Sequence, residues 1–330
     1  MRFHTSLPML ALASFLVLPS RAADPQADTL QRTFPANPGG RLILDADRGS
    51  ISIEGTDAAE VHIEVERRVS RGTLARAAAL LDQHQVHFSE SDGTLRIKSE
   101  GPDTSLWGWR RPQLNVAFRI RVPRSFHIDA KTAGGSIRVT QLAGEVSIRT
   151  AGGSLHLEDV RGTVVGRTSG GSIRATRLEG DIELGTSGGG IQIEQISGTR
   201  LKTRTSGGSI RLAGINVPAE AHTSGGGLDI EAASAPLQAS TSGGSIRARF
   251  STAPRADVSL RTSGGSINVT LPNDAALELD AATSAGSVQC DFPVTVSGTV
   301  QRNALRGPIG GGGPLLTLRT SGGSIRVQRP

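Results

Sequence analysis

The sequence predicts an all-β fold: a parallel β-solenoid (β-roll or β-helix) of coils about 18 residues long, with an N-terminal β-rich cap containing one short helix. Three observations predict it. A hexapeptide of the type T-S-G-G-S-I recurs ten times, starting at Thr132, Thr150, Thr168, Thr186, Thr205, Thr223, Thr241, Thr262, Thr283 and Thr320. Its spacings are 18, 18, 18, 19, 18, 18, 21, 21 and 37 residues, and so steady a period marks units that bury their apolar faces against neighbouring copies. Between copies, apolar residues alternate with polar ones, as in strands with one buried face. Composition agrees: 42 Gly against 8 Phe, 2 Trp and no Tyr suits a narrow interior filled by Ile, Val, Leu and Thr.

From the start of the chain, residues 1–22 read as a secretory signal. Arg2 and His4 precede the apolar run Met9–Leu18, and Ser20 and Ala22 stand where a signal peptidase wants small residues. Ten residues are half of the roughly 20 that span a bilayer. The expected product is exported, periplasmic or extracellular at the cell surface, with no transmembrane segment after cleavage. Residues 23–36 are expected as linker, 37–130 as the cap and 131–330 as the repeats. Within the cap, Arg41–Glu54, Val61–Val69, Val86–Phe88, Thr94–Lys98 and Asn115–Val122 read as strands. Thr73–His84 reads as a helix presenting Leu74, Ala77, Ala78 and Leu81 on one face.

Each repeat holds two alternating segments, such as Ile137/Val139 and Val146/Ile148, nine residues apart. That half-period suits a two-sided coil best. A further apolar column (Leu142, Val160, Leu178, Ile196, Ile215) leaves a third side open. The glycine pair is expected to supply a positive φ where the coil reverses, and the motif threonines to stack as a hydroxyl ladder. Cys290 falls on the inward column with Val269 and Val327. The chain ends on Arg329-Pro330 after a glycine run at Gly310–Gly313; since proline cannot donate to a further strand, the last coil is expected to end the stack.

Sixteen Pro and no G-X-Y period exclude collagen, and one Cys excludes a disulfide framework or a multi-Cys cluster. No GxxxxGK[ST] occurs, and the glycines lead into strands rather than helices, unlike a phosphate cradle. Calcium β-rolls place Asp in the turn; T-S-G-G-S-I has none. His84 and His87 lack a third ligand and read as surface residues, and His62 and Glu64 share a solvated strand face. Motif serines such as Ser169 and Ser206 have no recurring His or Asp partner. Glu158, Glu183, Glu194, Asp229 and Glu231 are scattered over coils rather than paired as glycoside hydrolysis requires. The expectation is no catalytic residue, no cofactor and no metal.

Charge supplies the one patterned surface. The chain carries 36 Lys and Arg against 30 Asp and Glu, a formal +6, which falls to +4 once Arg2 and Arg21 leave with the signal. One outward column contains Arg138, Arg174, Arg211, Arg247 and Arg326 at intervals; a second begins Lys131, Arg149, Arg167 on successive coils. Both are candidate polyanion contacts. The alternative is columns balanced by nearby acids. Nucleic acid is not expected, because the coils carry no stacking aromatics; an envelope component or anionic glycan fits export better. Trp107 and Trp109 form either a loop packed on the cap or a candidate partner-docking loop.

The R-V-P strand ending at Arg121-Val122-Pro123, the serial T-S-G-G-S-I coils and the D-F-P-V-T-V-S-G stretch at Asp291–Gly298 resemble the bacterial putative-adhesin family, over roughly residues 36–330. The resemblance implies an exported β-solenoid of unknown function with an envelope role, and no catalytic residues. This copy uses S-G-G-S-I where S-G-D-I is commoner in that family. The functional expectation is a non-enzymatic adhesin-like scaffold or interaction module presenting long β faces. A polyanion- or glycan-binding protein using the Arg columns is the alternative, and a polysaccharide-active β-helix enzyme the third reading.

Overall fold

The computed structural model describes residues 27–70, 73–102, 113–231, 235–296 and 301–330. Strands of successive coils pair in parallel: Val146 lies opposite Ile128 on one side and Val164 on the other, and Ile137 opposite Leu155. The sequence period is therefore the register of the ladder. Each coil gives one strand to each of two long sheets, and their inward side chains meet. At Gly166 an added Cβ would lie 3.3 Å from Leu155 of the facing sheet. The two-sided coil holds, with a short third ladder at one corner, where Leu142, Val160, Leu178, Ile196 and Ile215 stack in register and are buried.

The glycine pair does a different job from the one expected. None of the motif glycines has a positive φ; the left-handed residues lie at the opposite corner, at Gln141, Asp159, Arg177 and Gln195 (φ 54° to 59°), then Gly214 at 63°. What demands glycine in the motif is proximity. A Cβ on Gly171 would sit 2.0 Å from the carbonyl oxygen of Gly153 in the coil below, and one on Gly153 2.1 Å from that of Gly135. The first glycine is freer: a Cβ on Gly170 would meet nothing nearer than 3.6 Å. T-S-A-G-S-V obeys this distinction, with Ala285 in the first place and Gly286 in the second. Nor do the threonine hydroxyls bond one another. Thr168 Oγ1 donates to Gly153 O (2.7 Å) and accepts from Gly171 N (3.2 Å), and all ten motif threonines are buried.

Both ends depart from chain order. Arg41–Glu54 is not one strand but two, Arg41–Ala46 and Ser50–Thr56, parted at Gly49 (φ 107°). Together they form a coil whose turn, Ala46 to Ile51 (A-D-R-G-S-I), is a worn copy of the motif. Ala46 lies opposite Thr132 and Ile51 opposite Ile137, and Thr132 Oγ1 donates to Gly49 O at 2.9 Å. Outside it stack Thr94–Glu100 and Gln113–Pro123, parallel to the two strands. The coil later in sequence is thus the outer one. The C-terminal end repeats the exchange. Leu315–Thr320 and Ile325–Gln328 insert between the coil of Val258–Thr262 and Ile267–Thr270 and the coil of Leu277–Thr283 and Val288–Cys290. Arg329-Pro330 therefore does not end the stack. The outer coil does, closed by Ala304–Ile309 running antiparallel to Leu277–Thr283. Gly310 to Gly313, all with positive φ (59° to 155°), turn the chain back into its slot.

Antiparallel strands also close the first end. Glu60–Ser70 lies on Gln113–Pro123, and Gln85–Ser91 on Thr94–Glu100. Residues 27–35, expected as linker, are a strand (Ala27–Pro35) on the free edge of Glu60–Ser70, where unpaired backbone groups await a partner and Leu30 and Phe34 pack on the core. The helix Leu74–Gln83 buries Ala77 and packs Leu80 and Leu81, leaving Leu74 54 % exposed and Ala78 exposed. Its C-terminal end sets that orientation: Arg67 donates to the carbonyls of Leu81 and His84 while its guanidinium pairs with Asp28.

His84, expected at the surface, is sealed at this joint. Its Nε2 shares a hydrogen bond with Ser99 Oγ (3.0 Å), and no partner for Nδ1 occurs among the described residues. Burial lowers its pKa, Asp47 and Asp28 work against that, and Arg67 and Arg48 reinforce it.

Three outcomes are expected. Gly171→Ala lowers the unfolding midpoint, at a cost of about 2–3 kcal/mol, while Gly170→Ala stays within about 0.5 kcal/mol; equal midpoints would break the proximity argument. Deleting residues 315–330 removes a coil from inside the stack, so hydrogen exchange over 277–309 loses its protection; retained protection would mean that the final coil is terminal. Burial holds the His84 pKa below its unfolded value of about 6.5, so its contribution is intact above that value and is lost as pH falls below it. The denaturant midpoint should drop on acidification in the wild type and less in His84→Gln; identical pH profiles would remove His84 from the account.

Candidate functional site

Each first-sheet strand points one residue outward between its two buried positions. In stacking order Arg119, Arg138, Arg174, Arg211, Arg247 and Arg326 alternate with Ser52, His156, Gln192, Asp229, Asn268 and Gln289. Chain order breaks the alternation twice; the exchanged coils restore it. Ser52 falls between Arg119 and Arg138, and Arg326 between Asn268 and Gln289. Arginines thus recur every second coil, about 9–10 Å apart at ordinary strand spacing.

A groove of about 970 Å³ follows this track from Ser52 to Asn268. Ser50, Ser136, Ser154, Ser172, Ser209 and Ser245 line its other side, and Gly190 and Gly227 hold the equivalent place on two coils. The serine oxygens are fixed by the next coil: Ser154 N donates to Ser136 Oγ, Ser172 N to Ser154 Oγ and Gly227 N to Ser209 Oγ, each at 3.2 Å. Using the oxygen as acceptor leaves each hydroxyl proton free to donate into the groove.

Acids occupy the next outward column on the coils that lack arginine: Glu54, Glu158, Glu194 and Glu231. Residues that look scattered in sequence are therefore aligned, and the sheet carries a checkerboard of charge. Arg211 reaches Glu231 (3.3 Å), Gln192 Nε2 donates to Glu194 (2.7 Å) and His156 lies 3.5 Å from Glu158. Arg174 donates to Gln192 Oε1 at 3.3 Å. The side chains of Arg138 and Arg247 make neither an ion pair nor a hydrogen bond among the described residues. The glutamates stand outside the groove, whose own charged residues are Arg138, Arg174, Arg211 and Arg247 against Asp229, with His156 beside them. One carboxylate oxygen of Asp229 is buried with no hydrogen-bond partner among the described residues. Beyond the groove, Arg177 joins Glu158 (2.6 Å) and Asp159 (2.5 Å), and its guanidinium holds both carboxyls below their usual range.

Lys131, Arg149 and Arg167 do stand on successive coils, but on the other sheet. Lys131 pairs with Asp45 at 3.0 Å and Arg167 with Glu183 at 2.6 Å, so acids on adjoining strands offset two members of this column, while Arg149 between them makes no ion pair among the described residues. The column cannot share a ligand site with Arg138 through the body of the coil. The two columns, grouped together from sequence, are two surfaces.

Other candidates fall away or are relocated. Ser99 and His84 meet, which sequence spacing did not show, yet each is only 1 % exposed, so no substrate reaches the serine. His87 lies exposed on Gln85–Ser91 opposite Lys98. Cys290 stacks on Val327 as expected, half-buried, and burial raises its thiol pKa. Among the described residues no three His, Cys, Asp or Glu side chains are placed to hold a metal ion, and no helix is long and apolar enough to cross a membrane. Trp107 and Trp109, like residues 1–22, lie outside the described residues.

No curated protein matches the chain. Solved structures similar to it include a putative lipid binding protein from Parabacteroides distasonis (14 % identity, TM-score 0.44, covering 92 % of this chain and 98 % of that one). A putative adhesin from Parabacteroides merdae is similar at 11 % identity and TM-score 0.43, over 92 % and 97 % of the two chains. A putative adhesin from Bacteroides fragilis is similar at 14 % and 0.37, over 92 % and 99 %. The model of the Toastrack family, DUF4097, matches residues 41–328, from the worn first coil to the last inserted strand. That span bears out the resemblance carried by the T-S-G-G-S-I coils, and the chain belongs to the Toastrack DUF4097 family.

Proposed function

We propose that this chain is an exported, non-enzymatic cell-envelope protein, an adhesin-like interaction module whose first sheet is its contact surface. One observation carries the reading: a single groove runs across nine coils, from Ser52 to Asn268, with cationic side chains along it and serine hydroxyls facing them. Such a surface suits a long partner held by many weak contacts. The secretory pattern of residues 1–22 supports the location, and the sealing of Ser99 and His84 supports a binding rather than a chemical role.

Cosedimentation of residues 23–330 with bacterial envelope fragments tests this. The wild type and Ser147→Trp, on the outer side of the second sheet, should pellet with the fragments. Ser154→Trp and Ser172→Trp, which fill the groove, should stay in solution. Absence of wild-type binding, or equal binding by all four proteins, would overturn the proposal.

A further inference from the structure

The spacing of charge along the groove selects among long ligands. Arg138, Arg174, Arg211 and Arg247 stand on every second coil, and the coils between them present His156, Gln192 and Asp229. A ligand running along the solenoid axis meets a cation about every 9–10 Å and a neutral or acidic side chain halfway between. We infer that the groove binds a linear acidic polysaccharide carrying one carboxylate on every second sugar, lying parallel to the solenoid axis. This rests on the reading of the first sheet as the contact surface.

Three features point to that occupant. Two strand spacings match two sugar units of an extended pyranoside chain, so alternate sugars fall opposite arginines. A polymer with a charge on every unit would set its intervening charges at His156, Gln192 and Asp229, where no arginine meets them, where Asp229 repels one directly, and where Glu158, Glu194 and Glu231 stand in the next column of the same coils. The groove also offers hydrogen-bonding groups suited to sugar hydroxyls: the serine O–H donors and, at a halfway position, the Gln192 amide. A peptide fits less well. Along this axis it lies across the strands, whose backbone groups are taken by neighbouring coils, and so gains none of the main-chain hydrogen bonds of strand addition. Polynucleotides and polyphosphate carry charges more closely than one per two coils, and the groove has no aromatic platform for bases.

The test compares carboxylated glycans that differ in charge period. Fluorescence anisotropy of residues 23–330 is measured with end-labelled hyaluronan oligosaccharides (one carboxylate per disaccharide), oligogalacturonates of matched length (one per sugar) and dextran. Hyaluronan should bind about tenfold more tightly than oligogalacturonate, and dextran should not bind. Affinity should climb to four disaccharides, the reach from Arg138 to Arg247 being about 28–29 Å, and then flatten. It should fall as salt rises, because exposed charges are screened, and Arg138→Gln, Arg174→Gln and Arg211→Gln together should abolish it. Asp229→Asn should narrow the gap by improving oligogalacturonate binding. Equal or tighter oligogalacturonate or polyphosphate binding overturns the inference, as does salt-independent binding. Failure of hyaluronan to bind while envelope fragments still pellet the protein removes this ligand class and leaves the contact surface standing; loss of both removes both.

Discussion

The contact on which the rest of the molecule depends is a glycine resting on a carbonyl oxygen. At each motif turn the second glycine lies against the carbonyl of its counterpart below, close enough that a Cβ would stand 2.0 to 2.2 Å away. The motif threonine completes the joint by donating to that same carbonyl and accepting from its own coil's glycine N–H. Both interactions need neighbouring turns at strand spacing and in register. Once the corner is fixed in this way, residues one period apart have to share a column. Inward columns become the core and outward columns become the surface pattern. The glycine content is a packing requirement at this corner; the conformational freedom of glycine is used elsewhere, at Gly49 and along Gly310–Gly313.

This dependence explains which parts of the fold were legible. The coils, their inward pairs, the Leu142 column and the place of Cys290 follow from a pattern repeated within 18 or 19 residues. The ends were harder because their partners are remote and their motifs worn. In A-D-R-G-S-I only the final G-S-I survives, yet the glycine is the one that cannot change: at φ 107° a Cβ on Gly49 would lie 2.6 Å from the carbonyl oxygen of Val116 in the coil outside it. Counting that residue rather than the whole hexapeptide would have found the coil. His84 was misplaced for another reason. Its burial depends on Arg67, Ser99 and Asp47, which come from three separate strands or turns, and no spacing rule joins them. Arg138, Arg174, Arg211, Arg247 and Arg326 could be assigned to one column from sequence, but their strict alternation could not, since it exists only in stacking order.

The alternation solves an electrostatic problem. A cation on every strand would face like charge at strand spacing, a repulsion of about 1 kcal/mol per neighbour in water; doubling the interval brings it to roughly the Debye length at 0.1 M salt. The glutamates on the intervening coils then lie diagonal to the arginines, within reach of a long guanidinium, as Arg211 and Glu231 show. The second sheet handles the same problem differently, by pairing Lys131 and Arg167 with acids on adjoining strands. Among the described residues both sheets keep cations without a protein partner, Arg149, Arg204 and Arg261 on the second and two on the first. Arg138 and Arg247 have no protein partner among the described residues, and both open on the groove.

The exchange of coil order at both ends has a further physical consequence. A stack that ended on its last repeat would present a bare parallel edge, ready to pair with another chain. By folding the final coil inward, the chain leaves outermost a coil whose flanking segment can double back: Ala304–Ile309 at one end, and Glu60–Ser70 and Gln85–Ser91 at the other. These strands run antiparallel, which short loops allow and a continued coil does not. The cost in chain entropy is small. Pairing Asp45 with Lys131 closes 86 residues instead of the 18 between ordinary coils, just over two doublings, or about 1.4 kcal/mol. That is less than a single buried leucine contributes. Closure of the ends is therefore bought cheaply, and the same insertion that achieves it puts Ser52 and Arg326 where the two-coil rhythm of the first sheet requires them.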